Sequence, residues 1–343
     1  MGSTVSKSAG KPQLPPVARK LKDSLQARKL EAPSLPHRKK PSPQPEKFIM
    51  SNYKIIRLIG SGGFGTVHLA HNPKSDKYCA VKVIDAPNAR MMKHAMREVR
   101  VHGMVNHVNI AGYLGSFKHS TKVLLYMELL HQNLSGLIRQ MPPMSVNLSL
   151  FFFEQIVTGL EYLHMHGLCH RDIKVENLLV KSDGTIKLCD FGLADEVVDA
   201  DGQEIKHRLR AGSYRNMAPE VFSQQKSRFY YGPPTDIWSA AIVFFYFITE
   251  SYPWSKPTLK DRRFNRWYDK RDLGTRWKKM STQGTRTLMD AMLRVTPKNR
   301  LDATDIIKWI RSKLLKPHKR WSQRVYVTNF IKANMAKTRG VTE

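Results

Sequence analysis

The chain has 343 residues, 41% of them hydrophobic, enough for one large folded unit with tails. Its 57 Lys and Arg against 28 Asp and Glu give a formal charge of +29, so it should attract acidic substrates, phosphates or nucleic acid rather than cations. The one continuous apolar run that invites a membrane reading, Ala240 to Ile248, is far short of the roughly 20 residues a spanning helix needs. No secretory apolar segment opens the sequence, and Cys79, Cys169 and Cys189 have neither metal nor disulfide spacing, so a reduced intracellular compartment, nucleus or cytoplasm, is expected.

Residues 1–50 are expected to be a disordered arm. Eleven Lys and Arg stand against three acids up to Lys47, amid Pro and Ser and few aromatics, a composition that cannot bury enough surface to offset ordering entropy. Its opening "MGSTVSK" fits the pattern for myristoylation of Gly2, with Ser6 in place, and the basic arm would supply a second, electrostatic attraction to an anionic membrane. The competing uses are nuclear import or contact with an acidic partner, through "HRKK" at His37 to Lys40 and "KPHKR" at Lys316 to Arg320. Neither tail has the aromatic interleaving or finger spacing of a dedicated nucleic-acid module.

From residue 51 to 130 the pattern predicts a small sheet-based lobe. "YKIIRLIG", "TVHLAH" and "YCAVKVI" read as a three-strand meander, followed by a helix "ARMMKHAMREVRVHGMV" and two strands around "GYLGSF" and "KVLLYMEL". Residues 131–315 turn helical. "SLFFFEQIVTGLEYLHMHG" has apolar residues at three- and four-residue steps and a terminal Gly167, with further helices at "PTDIWSAAIVFFYFITE", "TRTLMDAMLRV" and "ATDIIKWIRSKLL". Residues 316–343 are read as a basic C-terminal tail, with seven Lys and Arg against Glu343 alone.

Chemistry concentrates in four places along this order. "GSGGFGTV", Gly60 to Val67, has glycines at 60, 62 and 65 between two strands; glycines also make plain hairpins, but a strand on both sides argues against a dinucleotide site. Seventeen residues beyond Gly65, Lys82 lies on the third strand, within reach of phosphates held beneath a glycine flap. Between Asp85 and Glu128 the one acid is Glu98, on the predicted helix, spaced for an ion pair with Lys82. In "HRDIKVENLL", Asp172 is placed to orient and deprotonate a hydroxyl, Lys174 to neutralise a phosphoryl group and Asn177 to bind magnesium. Thirteen residues further, Asp190 of "DFG" would hold the metal that bridges nucleotide phosphates.

These strings, with "APE" at Ala218 to Glu220 and "DIWS" at Asp236 to Ser239, resemble the eukaryotic protein kinases from Tyr53 to Leu315. The resemblance implies an α+β bilobal fold, with a small antiparallel sheet and one helix in the N-terminal lobe and a larger, mainly α C-terminal lobe. It implies ATP and Mg2+ as cofactors and Ser or Thr on proteins as acceptors, Lys174 being similar to the serine/threonine branch. Gly60, Ser61, Gly62, Gly63, Phe64, Gly65 and Val67 would cover the nucleotide, with Ala80 and Leu179 beside it and Met127, Glu128 and Leu130 in the adenine hinge. Within the second lobe, Trp254, Trp267 and Trp277 and the segments around them resemble the checkpoint kinase 1 family, and Arg300 would pair with Glu220.

Some positions depart from that pattern. Ala241 stands where the family has a small Gly, the segment after the hinge is one residue short of the usual ribose contact, and Asn216 replaces an aromatic residue near the acceptor. Between Gly192 and Ala218 the only hydroxyl side chains are Ser213 and Tyr214, so no usual loop phosphosite exists. Arg171 is therefore expected to find a fixed carboxylate, Glu196, Asp199, Asp201 or Glu204, giving an intrinsically active loop. A monomer is expected. Two other readings stay open at this point: a pseudokinase scaffold, and an adaptor targeted to membrane or nucleus by its basic tails.

Overall fold

The computed structural model describes residues 52–339, except 64, 131, 200–202, 209, 224–228, 276–279 and 281. The arm at 1–50 with its Gly2 pattern, and Phe64, Asp201 and Trp277, lie outside the described residues.

Strands β1 (Lys54–Gly62), β2 (Gly65–Asn72) and β3 (Lys77–Asp85) form the expected meander, followed by α1 (Ala89–Gly103), β4 (Tyr113–His119) and β5 (Lys122–Glu128). The sheet order is β1-β2-β3-β5-β4, antiparallel throughout. The β1–β2 turn can close only with glycine at Gly65: its φ is +129° and an added Cβ would lie 2.2 Å from the Val83 carbonyl oxygen. Helix α1 begins where the Asn88 side chain accepts from the Met91 N–H at 2.9 Å. It buries Ala95 and Val99 against Ala80, Ile84 and Leu125 of the sheet. That packing brings Glu98 under β3.

The C-terminal part contains β6 (Gln132–Asn133), α2 (Leu134–Gln140), α3 (Val146–Met165), β7 (Leu168–Cys169), β8 (Leu178–Val180), β9 (Ile186–Leu188) and β10 (Asp195–Glu196). Helices α4 (Pro219–Phe222), α5 (Gly232–Thr249), α6 (Arg262–Lys270), α7 (Gln283–Met292) and α8 (Ala303–Trp309) complete the expected α-rich lobe. The Ala240 to Ile248 run lies inside α5, whose Phe244 stacks on Phe153 of α3 at 4.5 Å. This run is apolar all round because it sits in the core, and among the described residues no helix is long and apolar enough to cross a membrane. Trp238, Trp254 and Trp267 are fully buried, with ring centroids 5.1 to 5.8 Å apart. Arg300 lies over Trp238 and reaches both Glu220 oxygens at 2.5 and 2.7 Å, the pairing the resemblance implied.

The expectation of a basic tail after Lys316 is corrected at 317–339, which form helix α9 (Pro317–Arg339). Val327 and Ile331 of α9 enter the main core, with Val327 against Gly184. Arg320 joins Arg311 on the carboxylate of Glu154, each at 2.7 Å. The high charge of this segment hides a helical face on which Arg320, Val327 and Ile331 recur. Val327→Ala should therefore cost about 1–3 kcal/mol in urea unfolding. Trp321→Ala, at an outward position, should stay within about 0.5 kcal/mol.

Candidate active site

A cleft of about 1290 Å³ opens between the glycine hairpin and the loops after β7 and β9. Gly60, Ser61 and Gly62 end β1, Gly63 lies in the turn and Gly65 starts β2, so the hairpin covers one side of the cleft. Val67, Ala80 and Leu179 line its apolar wall, and Met127, Glu128 and Leu130 its closed edge. The Glu128 carboxylate accepts from the Gly112 N–H at 2.6 Å and from Lys187 Nζ at 2.6 Å, which braces the end of β5. Asn133, at the shortened segment, caps α2 by accepting from the Gly136 N–H at 2.7 Å.

Lys82 projects from β3 into this cleft, with Nζ 2.6 Å from Glu98 Oε1 and 2.7 Å from Asp190 Oδ1. Burial acts to lower the Lys82 pKa, but the two carboxylates raise it above the ordinary value, so the ammonium stays charged. Burial likewise opposes ionisation of Asp190, and Lys82 holds its pKa below the usual carboxylate range. Asp190 adopts a left-handed backbone, φ 65°, as does Arg171, φ 64°. Non-glycine residues take that conformation only where surrounding contacts fix it.

For Arg171 those contacts come from Asp236, fully buried at the start of α5. Its carboxylate accepts from the backbone N–H of His170 at 2.9 Å and of Arg171 at 2.7 Å, and pairs with His164 Nε2 at 3.0 Å. Burial alone would raise the Asp236 pKa, yet these bonds hold it below the ordinary value. Asp236 thus sets the loop that carries Asp172, Lys174 and Asn177. Asp172 Oδ2 accepts from Lys174 Nζ at 2.7 Å and Asn177 Nδ2 at 3.2 Å, while Oδ1 accepts from the Ser213 N–H at 3.0 Å and Oγ at 3.1 Å. Gly212 permits this approach: its φ is +96°, and a Cβ there would lie 2.7 Å from the Arg171 carbonyl oxygen.

A column of rings runs from this loop into the N-terminal lobe. Phe191 lies 5.2 Å from His170 and 4.8 Å from His102, which in turn contacts Tyr113 at 5.8 Å. His102 sits one turn beyond Glu98 on α1, and Nε2 bonds the Ala111 carbonyl at 2.7 Å. Burial pushes its pKa down to about 4, so it is neutral in the column.

The carboxylate facing Arg171 is Asp195, and the described candidates expected for that role, Glu196, Asp199 and Glu204, do not take it. Strand β10 pairs with β7 and sets Asp195 opposite Cys169, so its Oδ2 lies 3.3 Å from Arg171 Nη2 and 3.1 Å from Arg97 Nη1 of α1. Glu196 instead meets Arg100 of α1 at 2.5 Å, the Asp199 carboxylate accepts from the Gln203 N–H, Glu204 pairs with Val198 through its backbone, and Asp201 is outside the described residues. His207 closes the group, its Nδ1 2.9 Å from Arg171 Nη1. Burial, then Arg171, pushes the His207 pKa down to about 4. Asp195 and Arg97 were legible only as a pair, an acid five residues past Asp190 and a base next to Glu98. His102 was legible as the i+4 neighbour of Glu98.

The structure thus brings together the described site residues expected from the sequence. Among the described residues no group of three His, Cys, Asp or Glu side chains forms a closed metal cage. Asp190 and Asn177 nevertheless offer hard oxygen ligands: both Asn177 Nδ2 contacts go to Asp172, which leaves its Oδ1 as an acceptor. One carboxylate plus an amide oxygen suits magnesium, which takes remaining ligands from phosphates and water.

Residues 53–310 match the protein kinase domain family model. Curated relatives include a probable serine/threonine-protein kinase CHK1 homolog of Encephalitozoon cuniculi, 35% identical over 63% of this chain and 50% of that protein. The serine/threonine-protein kinase CHK1 of Mycosarcoma maydis is 29% identical over 73% of the chain and 46% of its own length. The carbon catabolite-derepressing protein kinase of Saccharomyces cerevisiae is 30% identical over 78% and 43%. The chain spans about half the length of the curated relatives it matches. With the family model covering three quarters of the chain, and its fold and motifs in place, the chain belongs to the protein kinase family and is similar to serine/threonine kinases, CHK1 among them.

Proposed function

We propose that this protein transfers the γ-phosphoryl group of magnesium-bound ATP to Ser or Thr hydroxyls of protein substrates, as a checkpoint kinase 1-like signalling enzyme. The observation that supports it most directly is the hydroxyl of Ser213, 3.1 Å from Asp172 Oδ1. A hydroxyl already sits where an acceptor would be oriented. In the reaction the acceptor oxygen bonds the γ-phosphorus as the bond to the ADP oxygen breaks, and the hydroxyl proton passes to Asp172. Lys174, held on the other oxygen of Asp172, balances charge on the phosphoryl oxygens. Lys82, fixed by Glu98, positions the phosphates beneath the hairpin. Magnesium, held by Asp190 and Asn177, would neutralise phosphate charge. Positioning and charge neutralisation supply most of the rate, because a loose phosphoryl transition state asks little covalent chemistry of the protein.

The segment between Gly192 and Ala218 is proposed to need no phosphate. Asp195 stands between Arg97 of α1 and Arg171 of the catalytic loop, so a fixed carboxylate joins elements that a loop phosphate joins in other switches.

Asp172→Asn is expected to lower kcat by about 10²–10⁴-fold on a Ser/Thr peptide library while ATP still binds. Binding of ATP without transfer by the unsubstituted protein would favour the pseudokinase reading. Unphosphorylated recombinant protein should be active, and phosphatase treatment should leave its rate unchanged. Asp195→Asn should lower that rate and open the segment to trypsin at Arg208 and Arg210. The segment should also loosen in acid. The folded pKa of His207 lies below its unfolded value, so the stabilisation it contributes is complete above about pH 6.5 and is lost as pH falls towards 4. Hydrogen exchange of 203–208 across that range checks the sign, and His207→Gln should flatten the dependence.

A further inference from the structure

Beside Ser213, Arg215 lines the cleft, and two further cations, Arg210 and Lys256, stand around its neighbour Tyr214, all three held on aromatic faces. Arg210 lies 4.4 Å from the Phe222 ring, with Nη2 donating to the Phe222 carbonyl at 2.8 Å, and 5.8 Å from the ring of Tyr214. Lys256 takes another position on Tyr214, 5.6 Å from its centroid. Arg215 lies 5.1 Å from Tyr252. Tyr214 and Arg215 line the same cleft as Lys174 and Asn177, so these charges stand within reach of residues that flank an acceptor.

Among the described residues none of the three cations has an ion pair within 4 Å, whereas neighbouring acids are engaged elsewhere. Glu220 is held by Arg300, and Asp261 accepts four backbone N–H groups at the start of α6. Among the described residues that line the cleft, the exposed carboxylate is Glu176, near Tyr252.

We infer that the acceptor groove selects acidic protein segments, in which carboxylate or phosphate groups flank the Ser or Thr. This rests on the kinase reading above and adds the substrate class. A basic flank would meet like charges from Arg210, Arg215 and Lys256, whereas an acidic flank would meet opposite ones. Exposed charges of this kind are screened by salt, so the preference should shrink as ionic strength rises.

The test compares four peptides with one Ser acceptor and flanks of Asp/Glu, phosphoserine, Ala or Arg/Lys, read both as kcat/KM with magnesium-ATP and as binding by fluorescence anisotropy. The expected result is a kcat/KM at least about 10-fold higher for the Asp/Glu peptide than for the Arg/Lys peptide, falling with added NaCl. The phosphoserine arm, ranked against Asp/Glu, shows which anion fits better. Arg215→Glu/Lys256→Glu should erase or reverse the order, with unchanged ATP affinity as the sign that the fold is intact. Arg215→Gln/Lys256→Gln, a milder change, should weaken it. Equal use of all flanks, preference for Arg/Lys, or a Glu variant that slows every peptide alike would overturn the inference. Tight, charge-dependent binding of acidic peptides without phosphate transfer would support the groove and sink the kinase reading instead.

Discussion

The carboxylate of Asp236 is the constraint on which the rest of the site depends. It has no exposed surface and accepts from two consecutive backbone N–H groups, so the chain at His170 and Arg171 has one way to lie. The left-handed φ of Arg171 follows from that geometry. So does the position of Asp172, the next residue. A buried ionised carboxylate is stable only when its lone pairs are filled, and here the partners are the loop's own amides and His164. Stability of the core and placement of the catalytic loop are therefore one interaction.

From that anchor two connections run outward. One is the ring column through His170, Phe191 and His102 to Tyr113, which ties the loop to α1 by packing. The other is ionic and runs from Arg171 through Asp195 to Arg97 on the same helix. Both engage α1, which also carries Glu98. A helix held at Arg97, Glu98, Arg100 and His102 has little freedom to rotate, and Lys82 is kept charged and aimed as a result. The order of the site thus comes from fixed side chains distributed over one turn and a half of helix.

Much of this was legible in the sequence because the chemistry is local in sequence. The glycine hairpin, "HRDIKVEN" and "DFG" each occupy a few residues, and the strand and helix periodicities around them were strong. What escaped was set by long-range pairing. Asp195 was passed over in favour of Glu196 and its neighbours because only the β10–β7 pairing decides which of two adjacent acids points at Arg171. Strand alternation then sends Glu196 to Arg100. The helix at 317–339 escaped for a different reason: its high charge masked an inward row that only the groove beside α3 reveals.

The charge balance of the whole chain explains why the acceptor mouth looks as it does. With twice as many bases as acids, acids placed in the frame are withdrawn from the surface. Glu98, Asp172, Asp190, Asp195 and Asp236 hold the site, while Glu154 and Glu220 hold α9 and the Trp cluster. Cations left without an acid then settle on aromatic faces, which accept them without neutralising them. Arg210, Arg215 and Lys256 are such cations. Their positive field is thus a consequence of how the interior uses its carboxylates, and on the function proposed above it falls beside the acceptor.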